Sequence, residues 1–332
     1  MSQIKDTDYL FLSTRIRALE RSLLTRERME RMLEAKSDED AAKVLTECGY
    51  PEMGRVQVDT VNAALAEQRE KTFRDLYAFA PDPTIVDVFK VKYDYHNVKV
   101  ILKSEAMGQD PERLMMDIGR VPAEELLEKV RSSDLRGLPP VLQAAAQQAR
   151  EVLGSTGDPQ LADFALDRAY FEDMTQLAKK SGSRFLEGYV RINIDAANLK
   201  SAVRTLRLDK GAEFLKGVLF PGGNIDVGRI LNTVSSGSSL EELYTVSALR
   251  AAAEAGMSAV SGGGLTRFEK LVDDAVNAYV GGAKYVAFGE APLVGYLAAK
   301  ETEFTAVRII MTGRLAGLPA DIIRERLREA YV

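Results

Sequence analysis

Two segments of the sequence, DYHNVKVILK at residues 94–103 and DAANLKSAVR at residues 195–204, carry the same arrangement of polar residues. Each begins with an aspartate, has an asparagine at its fourth position and a lysine at its sixth, and ends with a basic residue. The copies lie about a hundred residues apart, which is longer than most solenoid repeats. The pattern therefore predicts related helical domains. The shared residues are Asp94, Asn97, Lys99, Asp195, Asn198 and Lys200.

A third segment, EFTAVRIIMT at residues 303–312, keeps part of this pattern. Glu303 stands where the other copies have aspartate, and Arg308 stands where they have lysine. Ala306 replaces the asparagine, so this copy has diverged. Three copies predict three similar helical domains, which we place approximately at residues 1–92, 93–193 and 194–332.

The predicted fold class is all-α. Apolar residues recur at alternating three-residue and four-residue steps near the start of the chain, and they predict a helix over about residues 7–35. Asp158 followed by Pro159 is typical of a helix start, because aspartate caps the first turn and proline lacks only an N–H that the first turn leaves unpaired. Alternation typical of strands occurs only in fragments such as residues 56–58 and 189–194, which are too few to build a sheet.

The shared polar residues have two possible roles. On a helix the acid and the asparagine are neighbours at positions i and i+3, while the base lies on a different part of the surface. Such a set can fix how a helix meets the adjacent loops through hydrogen bonds, and we favour this structural role. The alternative is a site for a ligand or a partner protein.

Composition and charge exclude several classes of protein. Lys and Arg number 44 against 49 Asp and Glu, which gives a formal net charge of -5 and argues against nucleic-acid binding. No window approaches the roughly twenty nearly continuous apolar residues of a spanning helix. The single cysteine, Cys48, cannot form an internal disulfide, and no secretory signal is recognisable, so we expect a cytosolic compartment.

The sequence offers little material for catalysis. His96 is the only histidine, and Cys48 has no cysteine or histidine near it in sequence, so a zinc site and a redox pair are both disfavoured. No segment has the glycine, lysine and hydroxyl spacing of a phosphate-binding loop. We therefore predict no catalytic, cofactor-binding or metal-binding residues, and we expect Cys48 to be buried.

Four stretches carry a resemblance to a known family. They are YLFLSTRIRALERSLL at residues 9–24, FKVKYDYHNVKVILKSEAMG at 89–108, INIDAANLKSAVRTLR at 192–207 and ETEFTAVRIIMTGRLAGLPADIIRERLREAYV at 301–332. Together they make the chain similar, over essentially its whole length, to the C-subunit family of V/A-type ATPases. The eukaryotic counterpart of that family is the d subunit of the V-ATPase.

The resemblance implies a funnel-like molecule of three similar helical domains with pseudo-threefold symmetry. It implies a non-catalytic part of the central rotor, one copy per complex, that stands on the membrane proteolipid ring and receives the central shaft formed by the D and F subunits. The protein would lie peripherally on the cytoplasmic side of the membrane and would pass torque between ATP turnover and ion transport. The alanine at position 306 puts the shared polar set in doubt only in the last copy.

The interfaces with the ring and the shaft should differ in character. A pseudo-threefold body cannot match a larger ring evenly, so we expect modest polar contacts with the ring and a more apolar socket for the shaft. One alternative function is a helical scaffold that binds soluble partners. The other is a helical enzyme that uses His96 and Asp94.

Overall fold

The computed structural model describes residues 4–332, and within that range every regular element is a helix. The predicted all-α class is confirmed, and the stretches at 56–58 and 189–194 form no strand. None of the helices in this range is long and apolar enough to cross a membrane. Short 3-10 helices lie at Asp6–Tyr9, Glu112–Leu114 and Gly282–Tyr285. The α-helices are α1 (Leu10–Glu20), α2 (Arg26–Leu33), α3 (Asp38–Glu47), α4 (Val58–Phe79), α5 (Pro83–Met107), α6 (Ala123–Ser132), α7 (Pro140–Thr156), α8 (Pro159–Ser181), α9 (Arg184–Arg207), α10 (Ala212–Val218), α11 (Val227–Ser235), α12 (Leu240–Leu243), α13 (Arg250–Val260), α14 (Leu265–Gly281), α15 (Glu290–Leu315) and α16 (Ala320–Arg324).

Local signals set the ends of the long helices. The Asp158 carboxylate accepts a hydrogen bond from the Gln160 amide at 2.8 Å, and α8 begins at Pro159 as predicted. Gly182 ends α8 at φ 68°, a left-handed conformation that glycine adopts without a steric cost.

The single helix predicted over residues 7–35 is wrong. The structure has a 3-10 turn, then α1, and then α2 after a break at residues 21–25. The Thr25 hydroxyl accepts a hydrogen bond from the Arg28 amide at 3.2 Å and starts the new helix. Within the break the Leu24 amide donates to Glu303 near the other end of the chain, a contact that a local pattern cannot indicate.

The three motif segments lie on the three long helices α5, α9 and α15. Helix α5 packs against α8, α9 packs against α14, and α15 packs against α4. The first two motif helices therefore pair with a helix that follows them in sequence, whereas the last one pairs with a helix from the N-terminal part of the chain.

Three apolar cores follow from this arrangement. One core joins α5 to the N-terminal halves of α9 and α15, and a second covers the C-terminal half of α9. The third joins Leu45 and Tyr50 to Phe304 and Ile310, so that the N-terminal segment and the C-terminal half of α15 share one core. The boundaries at residues 1–92, 93–193 and 194–332 and the pseudo-threefold symmetry stay predictions, with which the three helix pairs are compatible.

Candidate functional site: the repeated polar clamps

Asp94 ties α5 to the loop that precedes α6. Its carboxylate is fully buried and accepts hydrogen bonds from the backbone amides of Arg120 at 2.9 Å and Val121 at 3.2 Å, and from Arg120 Nε at 2.7 Å. Burial raises the pKa of the Asp94 carboxyl, and the Arg120 guanidinium opposes that rise. A side chain at Gly119 would overlap the carboxylate, so the loop needs glycine there.

Asp195 repeats this arrangement on α9. Its carboxylate accepts a hydrogen bond from the Ile225 amide at 3.1 Å and another from Asn224 Nδ2 at 2.8 Å. A side chain at Gly223 would overlap this carboxylate, as at the first copy. Burial again raises the pKa of the aspartate, here without an arginine to oppose it. The two aspartates therefore hold equivalent loops in place with different neighbours.

The two asparagines form a second clamp with identical geometry. Asn97 donates to the Met116 carbonyl at 2.8 Å and accepts from the Met116 amide at 2.8 Å. Asn198 makes the same pair of bonds with Phe220, both at 2.8 Å. Only a side chain with both a donor and an acceptor can satisfy an N–H and a C=O of one residue at once, which is why an amide occupies this position.

The bases of the first two copies reach the neighbouring helix. Lys99 Nζ donates to Asp167 Oδ1 on α8 at 2.6 Å, and Lys200 Nζ donates to Asp273 Oδ1 on α14 at 2.6 Å. These ion pairs are partly exposed, so each contributes only about 0–1 kcal/mol to stability. The two ion pairs are equivalent because each joins a motif helix to the helix that packs against it.

The third copy holds a different loop. Glu303 Oε2 accepts a hydrogen bond from the Leu24 amide at 2.7 Å, and Oε1 accepts one from the Tyr50 hydroxyl at 2.8 Å. The same carboxylate forms an ion pair with Lys300, and both side chains are buried. Ala306 provides no second clamp. Glu303, whose side chain is longer than aspartate, thus binds the segment between α1 and α2, although it lies near the other end of the sequence.

Arg308, the base of the third copy, has no comparable partner. It is exposed on α15, and its guanidinium makes no hydrogen bond or ion pair with any residue between 4 and 332. Partial burial lowers the pKa of Arg308, and the positive charge of Arg69 on the neighbouring α4 lowers it further. The structure therefore pairs the bases of the first two copies with acids, whereas the base of the third has no acid partner among the described residues.

Sequence reasoning missed Arg120. Its side chain bridges Asp94 to Asp173 on α8, with Nη1 donating to Asp173 Oδ1 at 3.0 Å and Nη2 donating to Oδ2 at 2.6 Å. One sequence pattern could have pointed to Arg120. In both complete copies the motif is followed by a glycine and then a polar residue, at Gly119 and Gly223.

A cavity of about 380 Å³ opens where α5, α9, α14 and α15 approach one another. Charged and polar groups contribute much of its lining. The charged residues of the lining are Lys92, Lys200, Asp273, Glu301 and Arg328.

The single histidine and the single cysteine lie in different surroundings. His96 is exposed on α5, with its Nε2 3.0 Å from the Leu114 carbonyl oxygen. Cys48 is buried as predicted, and burial raises the pKa of its thiol to about 11, which keeps it protonated at neutral pH. Among residues 4–332, no three His, Cys, Asp or Glu side chains are grouped so that they could hold a metal ion.

The described residues form an all-helical protein whose buried polar side chains hold its own loops. The family of the ATP synthase (C/AC39) subunit matches residues 12–326, and the chain belongs to this family. It is 25% identical over 98% of its length to the C subunit of the V-type sodium ATPase of Enterococcus hirae, covering 99% of that protein. It is 26% identical to the C subunit of the V-type ATP synthase of Thermus thermophilus, with 96% of this chain and 98% of that protein covered.

An archaeal relative gives the same result. The C subunit of the A-type ATP synthase of Methanocaldococcus jannaschii is 24% identical, over 96% of this chain and 86% of the relative. The predicted family is therefore confirmed, and the chain is a subunit of a rotary ATPase. Proteins of this family are structural components of that complex and do not catalyse its reaction.

Proposed function

We propose that the chain is the central-rotor connector of a V/A-type ATPase or ATP synthase, which couples the shaft of the D and F subunits to the membrane proteolipid ring. The observation that carries this proposal is the family match over residues 12–326, together with relatives that align along nearly the whole chain. One copy per complex would suffice, because a single central shaft needs a single connector. The protein would lie peripherally on the cytoplasmic side of the membrane.

The clamps support a role in transmitting torque. A part that passes torque has to deform little, and dense helical cores resist shear better than loops do. Asp94, Asp195 and Glu303 each bind a loop to a long helix through hydrogen bonds to a charged group, which are stronger than those between neutral groups. The loops therefore move with the helices, and little rotation is lost inside the connector.

The apolar socket for the shaft stays a prediction. The cavity between the motif helices is lined by Lys92, Lys200, Asp273 and Glu301. If the shaft enters here, charged contacts accompany the apolar ones. Such contacts favour specificity and a fixed orientation over raw affinity.

A pull-down from gently solubilised membranes tests the proposal. The tagged chain should recover a proteolipid ring together with the D and F subunits, identified by mass spectrometry. Recovery of soluble partners without any component of an ATPase would instead support the helical scaffold.

A deletion tests the coupling role separately. Without this protein, the catalytic heads should still hydrolyse ATP, while hydrolysis should no longer drive ion transport into vesicles. Loss of hydrolysis by isolated heads would contradict a purely connecting role.

A further inference from the structure

The three motif helices contribute the same register position to the cavity. Lys92, Asn193 and Glu301 each lie two residues before the acid of their motif, and all three line the space of about 380 Å³. The copies therefore supply a cation, a neutral amide and an anion at equivalent positions. Lys92 forms an ion pair with Glu301, and these two are the charged lining residues of α5 and α15, so that side of the cavity carries no net charge.

The side of the cavity formed by α9 and α14 carries an excess positive charge. Lys200 Nζ donates to Asp273 Oδ1 at 2.6 Å, and Arg328 Nε donates to Asp273 Oδ2 at 2.8 Å. Two cations therefore share one carboxylate, and each carboxylate oxygen already accepts a hydrogen bond from a different cation. All three side chains line the cavity and are between 17% and 34% exposed, so a partner that enters the cavity can reach them.

The equivalent ion pair of the first copy lacks this excess. Lys99 Nζ donates to Asp167 Oδ1 at the same distance of 2.6 Å, but Asp167 has no second cationic partner among residues 4–332. Neither Lys99 nor Asp167 lines the cavity. The additional cation is therefore present where the ion pair faces the cavity and absent where it does not.

The cluster around Asp273 also has unused hydrogen-bond donors. An ammonium group carries three N–H donors and no acceptor, and the Lys200 ammonium uses one of them within the described part of the chain. Groups from outside the chain have to accept the remaining hydrogen bonds. A carboxylate does so more strongly than a neutral acceptor, and it also neutralises the excess charge.

We propose that Lys200 and Arg328, held in place by Asp273, bind a carboxylate side chain of the protein that enters this cavity. The inference rests on the proposed function, in which that protein is the central shaft. A space of about 380 Å³ falls in the range of about 300–1,000 Å³ that small-molecule pockets occupy, so it admits a few side chains and not a nucleic-acid duplex. The net charge of -5 also opposes long-range attraction of a nucleic acid or an anionic membrane.

The uneven charge of the cavity gives the shaft a preferred orientation. An acidic side chain is attracted to the side with Lys200 and Arg328, where the cations outnumber the acids. Turned toward α15, the same side chain would meet the carboxylate of Glu301. One carboxylate contact then selects one rotational register of the shaft, because the attraction on one side is combined with repulsion on the other.

The test is a titration of the purified chain with the reconstituted shaft of the D and F subunits at low and high NaCl. Lys200→Gln leaves Arg328 and Asp273 as a neutral pair, so it should weaken binding by about fivefold to tenfold at low salt. Asp273→Asn removes the shared carboxylate and raises the local excess to two cations, so it should tighten binding by a similar factor. Both effects should shrink at high salt, because salt screens contacts between exposed charges.

The opposite directions of these two effects distinguish recognition from a structural role. Both substitutions break the same ion pair, so a purely structural role would weaken binding in both variants. The matched controls are Lys99→Gln and Asp167→Asn, which break the equivalent pair outside the cavity and should bind the shaft like the wild type. Because both ion pairs are partly exposed, all four variants should remain folded, which circular dichroism checks.

The outcomes separate this inference from the proposed function. If the wild-type chain does not bind the shaft, the proposed function fails and the carboxylate site fails with it. If the wild type binds and Asp273→Asn binds no more tightly, only the carboxylate site is refuted. Equal changes in the control variants would also overturn it. The same order of affinities for vesicles that contain anionic lipid would do so too, since it would reveal a general attraction of anions.

Discussion

Replacing Asn198 with alanine should destabilise the protein far more than the small change in side-chain volume suggests. The side chain is fully buried, and it satisfies both the amide and the carbonyl of Phe220 at 2.8 Å. Alanine removes two hydrogen bonds and leaves two backbone groups without a protein partner. At about 1–3 kcal/mol for each unsatisfied group, and with some relief from entering water, the expected loss is about 2–4 kcal/mol. That is a large part of the roughly 5–15 kcal/mol that stabilises a typical domain.

Urea unfolding followed by circular dichroism measures this loss. The midpoint for Asn198→Ala should fall at an unchanged slope, because the surface exposed on unfolding stays the same. Hydrogen exchange should also accelerate at the Phe220 amide before it does so elsewhere. The control is Asn232→Ala on the exposed surface of α11, which should stay within about 0.5 kcal/mol of the wild type.

Two results would contradict a stabilising role of the Asn198 clamp. One is an Asn198→Ala protein whose stability matches that of the Asn232→Ala control. The other is unchanged exchange at the Phe220 amide, because the clamp would then not be what holds the loop. Asn198→Asp adds a check: a carboxylate cannot donate to the Phe220 carbonyl, so this variant should be no more stable than the alanine variant near neutral pH.

The Asp195 clamp and the buried Cys48 can be tested in three further ways. Because burial raises the pKa of Asp195, the folded state binds more protons than the unfolded state just above the ordinary aspartate pKa of about 3.9, and this carboxyl makes stability fall as pH rises there. Asp195→Asn should therefore give a more positive slope of unfolding free energy against pH in that range, and an unchanged slope would contradict the assignment. Gly223→Ala should cost about 1–3 kcal/mol in denaturant titrations because its side chain would overlap Asp195, whereas Gly217→Ala, which meets no atom within 4 Å, should cost nothing. Cys48, buried with a pKa of about 11, should react with a thiol reagent only as the chain unfolds, so rapid labelling of the native protein would be inconsistent with its burial.

The helical class and several helix starts could be predicted from the amino-acid sequence. These depend on interactions within one or two turns: Asp158 caps a helix that begins at the next residue, and the apolar spacing of residues 7–35 follows helical periodicity. The residues of the clamps were also recognisable, because the same letters recur at Asp94 and Asp195. Their hydrogen-bond partners were not, since loop residues carry no pattern that points to a distant helix.

What each clamp holds, and which helices pair, depends on contacts between distant parts of the chain. Glu303 binds the amide of Leu24, 279 residues away, and this contact accompanies a break in a stretch whose local pattern favours continuous helix. Arg308 has no acid partner among residues 4–332, because α15 packs on α4 from the N-terminal part of the chain, and this difference could not be inferred from the motif alone. Helix propensity is set by neighbours along the chain, whereas ion pairing and burial depend on which distant surfaces the chain brings together.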